Sequence, residues 1–468
     1  MAYSNFLASK KDVCKKLVNK LLEKYEYVSL LGTHSQGKSV AVTSRVTSIS
    51  DGMGGQCGFV LKIFNGGSYS EYSFSEIEES TLDQLVEDVV SKVTLSSNLL
   101  ERRVSVEAMK DEPLVQDFVR PLEGKEYSLE EIVAKLTEFK DKIHGISSKV
   151  IQAMARFSHS EVSSLFISRN RELTQNYSWV NVNIGAVVRD GQNVQMGHEG
   201  AAYNSEEKSF EVAESKLEKC VRLAEELLNA ESIVPGEYEI ITEPSITGLI
   251  AHEAFGHGVE MDMFVKNRAK ARDYVGEYVA SELVDMHDGA SSILSAASYF
   301  FDDDGVLAHD TLIIKKGILQ TGISDALSAL QLNTEPTGNG RRESYRRKAY
   351  SRMTNTWFAP GESNVEDMIK SVKHGYLLAQ TDNGMEDPKN WNIQCVCAYG
   401  REIKDGKFTG KIVAPVCMTG YVPDLLKSIS MVSKEFEVIG SGYCGKGYKE
   451  WVPVADGGPY LKAKCKLG

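Results

Sequence analysis

The sequence predicts an α+β protein. It reads as a small N-terminal α/β unit, a middle α+β unit and a large C-terminal domain rich in antiparallel β-sheet that carries a metal-binding helix. Three observations carry that prediction. Apolar residues recur at helical spacing in only a few segments. Strand-like segments lie between them, and the last half is rich in glycine and in such segments. Asn65-Gly66, Lys316-Gly317 and Asp405-Gly406 punctuate those segments where hairpin turns would fall. At 468 residues the chain has room for two or three domains, and the pattern puts them at 1–125, 126–235 and 236–468.

The elements follow in order. Val13, Leu17, Leu21 and Tyr25 make Asp12 to Tyr25 an amphipathic helix. Strands are expected at Tyr27 to Leu31, Ser39 to Val46, Phe59 to Phe64 and Tyr69 to Phe74, and a helix from Thr81 to Val93. Ser128-Leu-Glu-Glu131 fits a capping box, and Leu129, Ile132, Val133, Leu136 and Ile143 follow as one apolar stripe. Lys149 to about Phe210 is strand-rich. Leu217, Val221, Ala224 and Leu228 mark another helix, and Pro235-Gly236 ends the unit. Beyond it, helices are expected after Ser245 and near Val422 to Val432, within an otherwise strand-rich domain.

Composition narrows the function. The chain is 42% hydrophobic and 25% charged, which excludes a disordered or collagen-like protein. Its net charge of -12 argues against nucleic acid as a partner. No apolar run is long enough to span a membrane, and the first residues lack the apolar core of a secretory signal. Eight cysteines without a C-x-x-C pair fit a reducing cytoplasm, with most thiols buried as small hydrophobes.

The sharpest motif is His252-Glu253-Ala254-Phe255-Gly256-His257. Two histidines four apart on a helix lie about 40° apart around the axis, whereas five apart they lie about 140° apart. An ideal helix cannot bring the second pair to one ion. The helix must therefore bulge, and a π-turn absorbs one extra residue. We expect the distortion near Ala254 to His257, eased by Gly256. Two imidazoles leave a catalytic zinc site one protein ligand short. Cys444, in the glycine-rich run Gly440 to Gly447 and beside Lys446, is the best candidate for the third. Zinc in such a site lowers the pKa of water, and Glu253, beside a ligand, is suited to carry the proton from water to a leaving amine.

HEAFGHGVE, with GYCGKG much later, resembles the TldD/PmbA family of zinc metallopeptidases. GNGRRESY, RMTNT and the closing VPVADGGP resemble the family as well, most strongly from residue 235 onward. The resemblance implies one zinc per chain on His252, His257 and Cys444, with Glu253 as catalytic acid and base. It implies the catalytic, TldD-like branch, because the partner branch lacks the motif. It also implies cleavage of unfolded or extended peptides, and a homodimer or a heterodimer with a related subunit.

Other residues leave alternatives open. Glu260 either orients a ligand or is a solvated helix glutamate. The basic run 341–348 is a solvated loop, a subunit contact or a clamp for substrate; Arg341 and Arg342, with Arg352 beyond the run, are the candidate substrate contacts. Cys395 and Cys397 are read as packing, and Asp302 to Asp304 as a turn before Gly305. Two competing functions remain: a non-catalytic peptide-binding or scaffold subunit with structural zinc, and a zinc hydrolase for other amides or esters.

Overall fold

The computed structural model describes residues 3–51, 55–98, 106–447 and 450–468. The first half is one eight-stranded sheet. It contains β1 (Val28–Thr43), β2 (Thr47–Ser50), β3 (Gln56–Phe64), β4 (Tyr69–Phe74), β5 (Leu114–Arg120), β6 (Val150–Ile167), β7 (Arg171–Asp190) and β8 (Asn193–Tyr203). The strand order is β4-β3-β1-β6-β7-β5, with β2 on β1 and β8 on β7. The expected boundary at 125/126 therefore falls inside one sheet. Strand β1 also runs unbroken through what the sequence pattern divides in two.

Five helices cover one face of this sheet: α1 (Asn5–Leu22), α2 (Leu82–Asn98), α3 (Leu129–Ile146), α4 (Glu206–Ser215) and α5 (Leu217–Leu227). Helix α1 starts seven residues before its apolar stripe suggests, because the Ser4 side chain accepts from Leu7 N and caps it there. Helix α3 has the expected capping box, Ser128 with Glu131. Asn65 opens a four-residue loop closed by Asn65 N to Ser68 O at 2.8 Å. Lys316-Gly317 and Asp405-Gly406 make tight turns with positive φ at both residues.

The second sheet has eleven strands. Its members are β9 (Gly236–Thr242), β10 (Met286–Asp288), β11 (Thr311–Lys315) and β12 (Ile318–Leu319), then β15 to β21 below; β13 (Gly340–Arg341) and β14 (Tyr350–Ser351) form a separate small ribbon. The remaining strands are β15 (Asn355–Phe358), β16 (His374–Asp387), β17 (Asn392–Lys404), β18 (Lys407–Val413), β19 (Val416–Tyr421), β20 (Met431–Lys446) and β21 (Glu450–Leu467). Strand β21 is the hub, pairing with β9, β15, β19 and β20. Cys395 and Cys397 lie in the core of this half, as packing residues do.

Among the described residues, two apolar clusters join the halves. Leu31, Val60, Phe166 and Leu173, on the face of the first sheet away from its helices, pack with Phe301. Helix α5 turns Val221 and Ala224 to the first sheet and Leu223 and Leu227 to Ala379, Tyr399 and Ile412 of the second. Each such side chain contributes about 1.5–3 kcal/mol on full burial. A charged seam runs alongside: Lys62 pairs with Asp304, and Arg342 with Glu71 and Asp303.

Candidate metal centre

The His252–His257 motif is led into by α6 (Pro244–Leu249), whose six residues are all buried. Pro244 occupies the first turn, where its fixed φ suits a helix and no N–H is needed. Glu243 holds the cap position. Ser245, expected there, instead donates its hydroxyl to Glu243 Oε1 at 2.8 Å. Residues Ile250–Gly256 then form a π-helical turn, and the His257 N–H reaches back to the His252 carbonyl, five residues earlier. The bulge thus starts four residues ahead of its expected position and carries the same consequence. The two imidazoles come together with ring centroids 5.2 Å apart and planes at 87°.

Gly256 serves packing here. Its φ is an ordinary helical -59°, but a Cβ would stand 2.1 Å from Met353 Sδ. A short 3₁₀ turn, His257–Val259, follows, and Glu260 leaves it in extended geometry. Cys444 arrives from the other side, on β20 opposite Val452 of β21. The glycine run around it is a strand, not the expected loop: Gly445 leaves room for the Trp451 ring across the hairpin, where a Cβ would sit 3.1 Å from it.

His252, His257 and Cys444 offer ligand atoms all within 4.8 Å of one another, and no fourth His, Cys or carboxylate joins them among the described residues. Cys444 Sγ is 3.4 Å from His257 Nε2. Burial alone would raise the Cys444 thiol, but the two imidazoles more than reverse it and hold it well below the usual thiol range. Burial would lower His252, yet the Cys444 thiolate leaves it raised to about 9. His252 Nδ1 is buried without a hydrogen-bond partner. Two nitrogens and a thiolate, converging with one nitrogen unsatisfied, fit a tetrahedral metal with one open position.

Glu253 Oε2 stands 3.9 Å from His257 Nε2, and burial raises its pKa. Gly384 of β16 makes its seat, since a Cβ there would fall 2.5 Å from Glu253 Cγ. Glu260 is buried and faces His257, its Oε2 3.1 Å from Nδ1. Of its two readings, ligand orientation is the one the geometry meets.

The three arginines offered as substrate contacts are spent internally. Arg341 donates to the carbonyls of Met353 and Pro453, Arg342 to Glu71 and the Arg347 carbonyl, and Arg352 to the carbonyls of Cys444 and Glu450. All three are buried, so none presents its guanidinium to an external ligand. Within the run, Arg341 and Arg342 tie loops together, while Arg346, Arg347 and Lys348 are exposed.

Two acids near the centre have no signal in their own spacing. Asp456, in the ADGG stretch of β21, lies within electrostatic reach of His252, Glu253 and Cys444, and burial pushes it up to about 6. It approaches α6 at Gly248, where a Cβ would be 2.4 Å from Asp456 Oδ1. Gly248 is one helical turn before His252, which is the one sequence clue. Glu386 of β16 has both carboxylate oxygens buried without hydrogen-bond partners, and burial raises it well above the usual range.

The chain is similar to known proteins along most of its length. Residues 235–464 match the family described as PmbA/TldA metallopeptidase C-terminal domain. A metalloprotease of Synechocystis is 27% identical over 470 residues, covering 98% of each chain. A zinc metalloprotease TldD homolog of Saccharolobus solfataricus is 31% identical over 238 residues, half of this chain and 52% of its own. The crystal structure of TldE from Thermococcus kodakarensis is 18% identical and shares the fold, with a TM-score of 0.75 over 97% of this chain and all of that one. With residues 235–464 matched and relatives running nearly end to end, the chain belongs to the PmbA/TldD family of metallopeptidases.

Proposed function

We propose that the chain is a zinc-dependent peptidase that hydrolyses peptide bonds in extended or unfolded polypeptides, with Glu253 as general base. The observation that carries this reading is the convergence of His252, His257 and Cys444 beside a partly buried glutamate. His252, His257 and Cys444 would hold one zinc ion per chain; the Saccharolobus relative is named a zinc metalloprotease. When bound, zinc supplies Lewis acidity toward water and a peptide carbonyl. Glu253 Oε2 accepts the proton of the attacking water and returns it to the departing amine nitrogen. Its seat against Gly384 holds the carboxylate in one orientation for both transfers. The Glu260 carboxylate fixes His257 with Nδ1–H directed at itself, leaving Nε2 for the metal.

The motif supports the catalytic branch of the family over the branch that lacks it. The reading also includes a homodimer, or a heterodimer with a related subunit, and a cytoplasmic location. All eight cysteines are free, in keeping with a reducing compartment. No helix among the described residues is long and apolar enough to cross a membrane.

Glu253→Gln tests the mechanism on an unfolded protein substrate. Zinc content should stay at the wild-type level and cleavage should fall by roughly 10²–10⁴-fold, the usual contribution of a general base. Undiminished cleavage would sink the assignment.

A further inference from the structure

Two residues that touch neither imidazole tie the parts of the centre together. Lys446 follows Cys444 by two residues, and its ammonium is buried rather than turned to water. Its Nζ donates to Glu260 Oε2 at 2.9 Å, to Asp262 Oδ1 at 2.6 Å and to the Ser351 carbonyl at 3.0 Å. The same Glu260 oxygen pairs with His257 Nδ1. Arg352 is wholly buried; its Nη2 donates to the Cys444 carbonyl at 2.6 Å and its Nη1 to the Glu450 carbonyl at 3.2 Å. Its Nε faces Glu260 Oε1 across 4.0 Å, and neither atom has a hydrogen-bond partner.

The histidines sit on one element and the cysteine on another, nearly two hundred residues later in the chain. No covalent or backbone link fixes their spacing. A buried ion cluster is a poor source of stability, because desolvation offsets most of its attraction. It is a good source of fixed geometry, because each partner has one low-energy position. We propose that Lys446 and Arg352 are positioning residues that hold His257 and Cys444 at the spacing a shared metal ion needs, with Glu260 as their common anchor. The proposal rests on the reading of the three ligands as a metal centre.

The test uses the full chain and two readouts besides activity: zinc affinity by chelator competition, and the absorption spectrum of the cobalt-substituted protein. Lys446→Met should weaken zinc binding about 10–100-fold, as loss of an outer-shell partner does, and should alter the thiolate-to-cobalt absorption. Arg352→Met should act in the same direction. Lys446→Arg, which keeps the charge, should recover most of the affinity. Lys266→Met is the control: this exposed lysine also pairs with Asp262, at 2.8 Å, but does not reach Glu260, and its loss should leave both readouts unchanged. A folded Lys446→Met with wild-type affinity and spectrum would overturn the proposal. Should that variant not fold, Asp262→Asn decides, since it weakens one of the three contacts that hold Lys446 without removing the cation; several-fold weaker zinc supports the clamp and unchanged zinc overturns it. A wild-type chain that takes no zinc would overturn the metal centre itself, and this clamp with it.

Discussion

The two sheets bury different things. Among the described residues of the first half, only Lys62 and Glu206 are buried Asp, Glu, Lys or Arg. The second half buries Glu260, Asp262, Asp288, Asp302, Asp304, Asp325, Arg341, Arg342, Arg352, Glu402, Glu450 and Lys462. The first sheet is held by apolar helices laid on one face. The second holds irregular segments against itself with ions and hydrogen bonds, as where Asp288 accepts from Thr354, Thr356 and Asn339. Apolar packing is non-directional and tolerates small shifts. Paired ions and buried hydrogen bonds do not, which is what a site built from distant segments needs. The first half thus rests almost wholly on apolar packing, whereas the second adds buried ions to an apolar core of its own.

The sharpest way to break this contrast is at the seam. Lys62→Met removes the ion-pair partner of buried Asp304, while Glu71 keeps Arg342, and should cost about 3–5 kcal/mol of stability by urea denaturation. A loss below 1 kcal/mol would show the seam to be dispensable. In the apolar half, Leu136→Ala on α3 should cost about 2–5 kcal/mol through its cavity, while zinc affinity stays at the wild-type value. Coupling of that core to zinc affinity would erase the proposed division. Gly384→Ala does the reverse. The new methyl group displaces Glu253, so kcat should fall about 100-fold with zinc content intact. Equal losses of zinc and activity would make Gly384 a structural residue only. Smallest of all, Lys142→Ala removes exposed pairs to Glu138 and Glu214 and should change stability by less than about 1 kcal/mol.

How far the sequence could be read follows the same divide. In the first half, the apolar stripes and the Ser128 cap mark α3 and α5 because local rules act there without competition. Even so, the pattern breaks β1 in two, since its middle residues from His34 to Lys38 are polar yet paired to β6 over their whole length. In the second half, the His252 to His257 spacing demands a bulge, and the π-turn supplies it. The partners of that site were harder to see. Arg341, Arg342 and Arg352 look like surface charge until the fold encloses them. Asp456 and Glu386 reach the centre from strands that are far off in sequence; the VPVADGGP run around Asp456 resembles the family but does not reveal what its acid meets. Spacing along a helix is legible; meeting across a sheet is not.

The measurement that bears most directly on the account is zinc per chain in the purified protein, taken beside Cys444→Ala. The account predicts about one zinc per wild-type chain, lost or much weakened in the variant, because a thiolate supplies one of three ligands. No zinc in the wild type after reconstitution, or full occupancy in Cys444→Ala, would contradict it.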